Sequence, residues 1–192
     1  MALTIGVIAA MSACSTHDSK PIIVPVPAPS ASTSSEAPRA EGFLPPGCAA
    51  VSTTSEVADA IGRTITGQPR TVPGTPEQTI GRTGRIDCYY GLADGQPVGQ
   101  ATVAIGVATY TDGQAAARRV VRTVDDERAA GANVSSVAVG QEQGTLLVGE
   151  TITLVVARQS TTVVVTLAKD LLSRERASEA LARLANRALS FA

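Results

Sequence analysis

Three cysteines, Cys14, Cys48 and Cys88, carry the most reactive side chains of this 192-residue sequence, and its one histidine, His17, follows closely on the first of them. Nucleophilic catalysis by serine or cysteine needs a base beside the nucleophile, yet no histidine follows position 17. Lys169 is the one lysine beyond residue 42, and no serine motif adjoins it to make a Ser–Lys arrangement. Two cysteines without a nearby histidine cannot complete a tetrahedral zinc shell. Asp125, Asp126 and Glu127, consecutive in the chain, make a poor cage for a hard cation. Glycine-rich dinucleotide and phosphate-loop patterns are absent. The residues therefore point to no catalytic set, no metal and no cofactor. A glycosidase-type carboxylate pair leaves no trace in a sequence, because two acids can converge from anywhere, so a hydrolase stays open as an alternative. Tyr89, Tyr90 and Tyr110 are the side chains assigned to a ligand-binding surface.

Cys14 has a context of its own. Ala2–Ala10 is apolar, and Met11-Ser12-Ala13-Cys14 closes the run. This stretch resembles the lipobox of bacterial lipoproteins, which implies lipidation of Cys14 and its exposure as the first mature residue. The apolar run has the length of a signal-peptide hydrophobic region and is too short to span a bilayer. It departs from the usual pattern in having no Lys or Arg ahead of it and Met11 at the −3 position. The alternatives are a removed leader with an incidental cysteine, or a buried N-terminal segment. Two acyl chains on such a cysteine anchor stably where one is marginal. From Ser15 to about Glu41, Pro21, Pro25, Pro27 and Pro29 precede the Ser/Thr-rich stretch 30–35, the composition of a partly extended, partly flexible tether. Its maximum reach is on the order of 80 Å. The expected organisation is a signal peptide at 1–13, a lipidated cysteine and tether at 14–41, and a single domain at 42–192.

With one cysteine committed to lipid, an exported chain has Cys48 and Cys88 left to form a disulfide. A pair of buried free thiols is the alternative. The formal charge is −1, from 16 basic and 17 acidic residues spread along the chain, and no clustered basic face marks a nucleic-acid binder. Fourteen of the basic residues are arginine, which reads as codon bias of a GC-rich genome rather than as function. Aromatics are only 3%, so the core must be built from Val, Ile, Leu and Ala.

Capping-box chemistry at Thr53–Glu56 followed by Val57, Ala58, Ile61 and Ile65 predicts a helix over 54–65. Residues 67–84, rich in Pro and Gly, read as a long irregular loop and as the first candidate for a binding feature. Alternation predicts strands at 85–91 and 101–110, with Ile86, Cys88 and Tyr90 on one face and Asp87 and Tyr89 on the other, joined through an Asp94-Gly95 turn. A second helix runs to about Ala130, capped by Thr111 or Asp112, with Ala116, Val120, Val121 and Val124 as its apolar stripe. Its Arg118, Arg119, Arg122, Asp125, Asp126 and Glu127 read as a solvated face, with a docking surface as the alternative, and Arg122 pairs with Asp126. Strands follow at 134–139, 145–148, 151–157 and 161–168, and Ser173 caps a terminal helix with Ala177, Leu181, Leu184 and Ala188 inward. Strands arriving in runs argue for an α+β fold, a mostly antiparallel sheet with packed helices as an α/β sandwich.

The lipobox at 11–14, the Pro/Ser tether, a cysteine at the domain start and Cys88-Tyr89-Tyr90 occur together. That set is similar to small actinobacterial, mycobacterial-type cell-envelope lipoproteins of uncharacterised function. The resemblance implies an α/β sandwich with one antiparallel sheet, likened to extracytoplasmic sensor domains or PsbP-like folds. It carries no catalytic residues over to this chain. The expectation is a membrane-anchored, non-enzymatic module that binds an envelope protein or a hydrophobic small ligand. A lipid or glycolipid carrier, or a sensory accessory subunit of an envelope complex, are the alternatives.

Overall fold

The computed structural model describes residues 43–191, so the expected leader, the expected lipidation site Cys14 and the expected tether fall outside the described residues. The chain forms α1 (Cys48–Val51), α2 (Thr54–Ile61), β1 (Arg70–Gly74), β2 (Arg82–Tyr90) and β3 (Val103–Tyr110). It continues through α3 (Gly113–Ala129), β4 (Asn133–Val139), β5 (Glu142–Val148), β6 (Thr151–Arg158), β7 (Thr161–Ala168) and α4 (Arg174–Leu189). The strands make one seven-stranded sheet in the order β1-β2-β3-β7-β6-β5-β4, every neighbouring pair antiparallel. The expected α+β class is thus observed, with the sheet between two helical layers.

The two long helices sit where the strand order requires them. β3 lies inside the sheet and β4 at the far edge, so α3 must carry the chain across one face. Its Val120 and Val124 pack there on Leu147, Val155 and Val164. α4 follows β7 and crosses the other face, where Leu181, Leu184 and Leu189 meet Ile152, Leu154 and Val165. Both faces of the central strands are therefore covered, and β6 reads as a buried run from Ile152 to Val156 rather than an alternation. The α3 stripe is narrower than the sequence implies: Val121 is 59% exposed, because only Ala115, Ala116, Val120 and Val124 reach the sheet side.

Two further expectations are corrected at the N-terminal edge. The 67–84 segment is not irregular throughout, since residues 70–74 pair with 85–89 as an edge strand. Pro73 and Gly74 hid it, although proline is tolerated on an edge strand. The first helix stops at Ile61, where Gly62 takes a left-handed conformation (φ 66°), and Ile65 buries from the following loop. The link between β2 and β3 keeps the Asp94-Gly95 turn but also contains a 3-10 turn at Val98–Gln100.

Cys48 and Cys88 form a disulfide with a Cα–Cα separation of 5.4 Å, joining α1 to the C-terminal part of β2. Thr71 of β1 donates to Cys48 Sγ at 3.0 Å, so the edge strand covers the bridge. Tyr90, on the same face of β2, is fully buried, and its hydroxyl donates to Ser52 O at 2.8 Å and Cys48 O at 3.2 Å. Burial, and then the nearby Glu56 charge, push that hydroxyl well above its usual range, so it stays a neutral donor.

α2 is tied to α4 by charge as well as packing. Thr53 Oγ1 accepts from Glu56 N and the Glu56 carboxylate accepts from Thr53 N at 2.7 Å, a complete capping box. The other Glu56 oxygen pairs with Arg187 Nε at 2.8 Å, and Arg183 donates to Ala60 O at 2.8 Å. The Arg187 guanidinium also lies 4.4 Å from the centre of the Phe191 ring. The Arg187 hydrogen bond, followed by that from Thr53 N, holds the Glu56 carboxyl down at about 2, against an ordinary 4.5. Its stabilisation is therefore complete above pH 4.5 and disappears as the pH falls toward 2. Glu56→Gln should cost about 1 kcal/mol at pH 7, from a weakened cap and a half-exposed ion pair. Urea unfolding across pH 7 to 2.5 should show the gap between variant and parent closing below pH 4.5. A gap that stays constant would show that the ion pair contributes nothing.

Candidate functional site

The site grows from the part of the α3-side face that α3 leaves uncovered. On β2, Arg85, Asp87 and Tyr89 point to this face, opposite to Ile86, Cys88 and Tyr90. Arg85 and Asp87 form a two-pronged pair, Nε to Oδ2 at 2.8 Å and Nη2 to Oδ1 at 2.9 Å. Room for it comes from the neighbouring strand. Gly106 of β3 stands opposite Asp87, and a Cβ there would lie 2.7 Å from Asp87 Oδ1. The hydrogen bond to Asp87, opposed by partial burial, raises the Arg85 guanidinium further, so it is a permanent cation.

Between this pair and α3 lies a pocket of about 130 Å³. Its lining combines the polar Arg85, Arg119, Tyr110 and Thr123 with the aliphatic Val155 and Val164. An apolar cavity of about 150 Å³ accommodates a molecule the size of benzene, so this one suits a small apolar group rather than whole acyl chains. Arg119 also borders a second, larger concavity of about 500 Å³ between the first turns of α3 and the 3-10 turn Gln78–Ile80. Thr111 N donates to Gly81 O at 2.8 Å, fixing that turn against the start of α3. Asp112 caps α3 by accepting from Ala115 N at 2.7 Å.

The assigned tyrosines do not make one surface. Tyr90 is a core residue whose hydroxyl is spent on main-chain carbonyls, which corrects its assignment to a ligand surface. Tyr110 is 4% exposed and lines the small pocket. Tyr89 is half-buried, on the same face as Arg85 and Asp87, and burial raises its hydroxyl first of all. The 67–84 segment supplies Gln78, Thr79, Ile80 and Gly81 to the larger groove. The α3 charges divide: Arg118, Arg119 and Arg122 turn to the groove, while Asp125, Asp126 and Glu127 are exposed. The expected Arg122–Asp126 pair is present at 3.1 Å.

Sequence reasoning missed Arg85, Asp87 and Gly106 as a unit. The glycine inside an otherwise β-branched strand was the available signal, since such a glycine marks a close approach. A larger hollow of about 620 Å³ along α2 is shallow and bordered by Asp59 and Arg63. The hollow between α2 and α4 holds Glu56 and Asp59, but Glu56 stays ionised to about pH 2 and is no proton donor at neutral pH. Among the described residues, no group of three or more His, Cys, Asp or Glu is placed to hold a metal ion, and no helix is long and apolar enough to cross a membrane.

No family model matches the sequence, and no curated protein matches it. The fold is similar to that of the extracellular domain of PknH from Mycobacterium tuberculosis, with a TM-score of 0.50 and 10% sequence identity, over 75% of this chain and 95% of that one.

Proposed function

We propose that this chain is a non-enzymatic binding module of the cell envelope, held on the extracytoplasmic face of the membrane by a lipidated Cys14. The pocket under α3 is its recognition site. The observation that carries the reading is the composition of that pocket's lining, in which the Arg85 and Arg119 guanidiniums stand with the aliphatic Val120, Val155 and Val164 on a sheet and helix, which is how small-molecule sites are built. The Cys48–Cys88 bridge fits an oxidising compartment. The Pro/Ser composition of 15–41 fits a spacer between anchor and domain. A role as a sensory or regulatory accessory subunit is the second reading, favoured by the fold shared with an extracellular domain. A carrier that swallows whole acyl chains would need a larger enclosed space than about 130 Å³.

The test is thermal unfolding of the full chain with and without a detergent extract of the envelope. A ligand at about one hundred times its Kd stabilises by about 2.7 kcal/mol, or roughly 5–10 °C for a domain of this size. That shift should vanish in Thr123→Trp, whose ring fills the pocket. An extract that shifts neither protein, or turnover of an envelope substrate by the purified chain, would overturn the reading. Fractionation of cells carrying Cys14→Ala tests the anchor, and the variant should leave the membrane fraction.

A further inference from the structure

Three arginines cluster in the groove between the 3-10 turn Gln78–Ile80 and the first turns of α3. Its lining includes Arg118, Arg119 and Arg122 and no acidic residue. Most of the other arginines among the described residues are occupied, Arg63 and Arg176 excepted: Arg70 donates to Gln96 O, Arg82 pairs with Glu77, Arg85 with Asp87, Arg128 with Asp125 and Arg187 with Glu56. Neither Arg118 nor Arg119 makes an ion pair or a side-chain hydrogen bond among the described residues, although Arg118 lies close enough to influence the Asp112 carboxyl. Arg122 has Asp126 as its partner, but that pair is well exposed on both sides, and such pairs exchange partners at little cost. The groove also offers the polar side chains of Gln78 and Thr79, with Ile80 and Ala115 as apolar surface between them and the arginines.

Planar guanidinium forks match tetrahedral oxyanions and engage them in pairs of parallel hydrogen bonds. We propose that this groove binds a phosphoryl group, with Arg118 and Arg119 as its principal donors and Arg122 recruited from Asp126. Arg119 is shared with the pocket under α3, so a phosphoryl group in the groove places whatever it is esterified to at the mouth of that pocket. The chemistry is the same for a phospholipid headgroup and for a soluble phosphate ester. The proposal deepens the binding-module reading, on which it rests, by naming the ligand's charged part.

Hydrogen exchange of the full chain, reconstituted in nanodiscs, separates the sources. In one arm the discs contain digalactosyldiacylglycerol, a lipid without a phosphoryl group, and glycerol 3-phosphate is added. In the other the discs contain digalactosyldiacylglycerol with phosphatidylglycerol and nothing is added. Slowed exchange at residues 78–81 and 115–122 is expected in the arm holding the true source. Arg118→Gln/Arg119→Gln/Arg122→Gln should weaken that protection at least tenfold. Arg63→Gln/Arg128→Gln/Arg174→Gln, which removes the same charge elsewhere, should leave it intact. The corresponding lysine triple, keeping charge without the fork, should fall between them. Absence of protection in both arms, or equal loss in the groove and control variants, overturns the proposal. An extract that still stabilises the parent but not Thr123→Trp would then leave the binding module standing without the phosphoryl site. If the extract also does nothing, both fall.

Discussion

Replacing Cys48 and Cys88 together with alanine should lower the melting temperature by roughly 8–16 °C. The bridge closes a loop of sequence separation 40. Restricting such a loop in the unfolded chain is worth about 4 kcal/mol, and each kcal/mol moves the transition of a domain this size by about 2–4 °C. The native state adds to the case. Cys88 is fully buried on the α4 face of β2, and Cys48 sits in an α1 of only four residues, too short to hold itself. Without the bridge, α1 would depend on the Tyr90 hydroxyl and the packing of Val51. Calorimetry of the double variant beside the oxidised parent checks the figure. Equal melting temperatures would mean that the bridge constrains nothing the fold had not already fixed.

The second large effect lies in the core, where Leu154 and Gly144 should behave as one unit. Leu154 is fully buried on β6, and Leu154→Ala should cost about 2–5 kcal/mol through lost burial and the cavity left behind. Gly144 on β5 faces it, and a Cβ there would meet Val139 Cγ2 at 2.9 Å and Leu154 Cδ1 at 3.1 Å. Gly144→Ala should therefore overpack by about 1–3 kcal/mol. In the double variant the new methyl enters space that the leucine vacated. The combined loss should fall short of the sum of the singles by at least about 0.5 kcal/mol, a coupling that residues in contact show and distant ones do not. Chemical denaturation of all four proteins closes the cycle, and strict additivity would contradict the packing described for these strands.

Features that depend on neighbours along the chain are legible in the residues themselves. The Thr53/Glu56 capping box, the Ser173 cap, the β-branched run at 161–168 and the Arg122–Asp126 pair are all local. The disulfide is legible from the expected export and the cysteine number, and the antiparallel class from strands arriving in runs. What escapes is set by partners far along the chain. β1 exists because 85–89 is there to pair with it, against the local preferences of Pro73 and Gly74. Val121 sits on the apolar side of the helical wheel, but α3 meets the sheet through Val120 and Val124 and leaves it outside. The opposite faces of Tyr89 and Tyr90 follow from local alternation, but which face is buried against α1 and α4 depends on residues far away, and that sends Tyr90 to the core. The groove escapes for the same reason. Arginines that pass for codon bias acquire meaning only when residues 78–81 fold against the start of α3.

The position of the bridge also decides how the domain would bear a pull. Force applied through the chain ahead of residue 43 reaches Cys48 within a few residues and passes through a covalent bond into β2 at Cys88. β2 is held along its length by β1 on one side and β3 on the other. Stretching at the N-terminus thus loads a strand paired on both sides, and α1, a single turn of four residues, is bypassed. A domain arranged in this way can be tugged from its N-terminal side while the faces presented by α3 keep their shape.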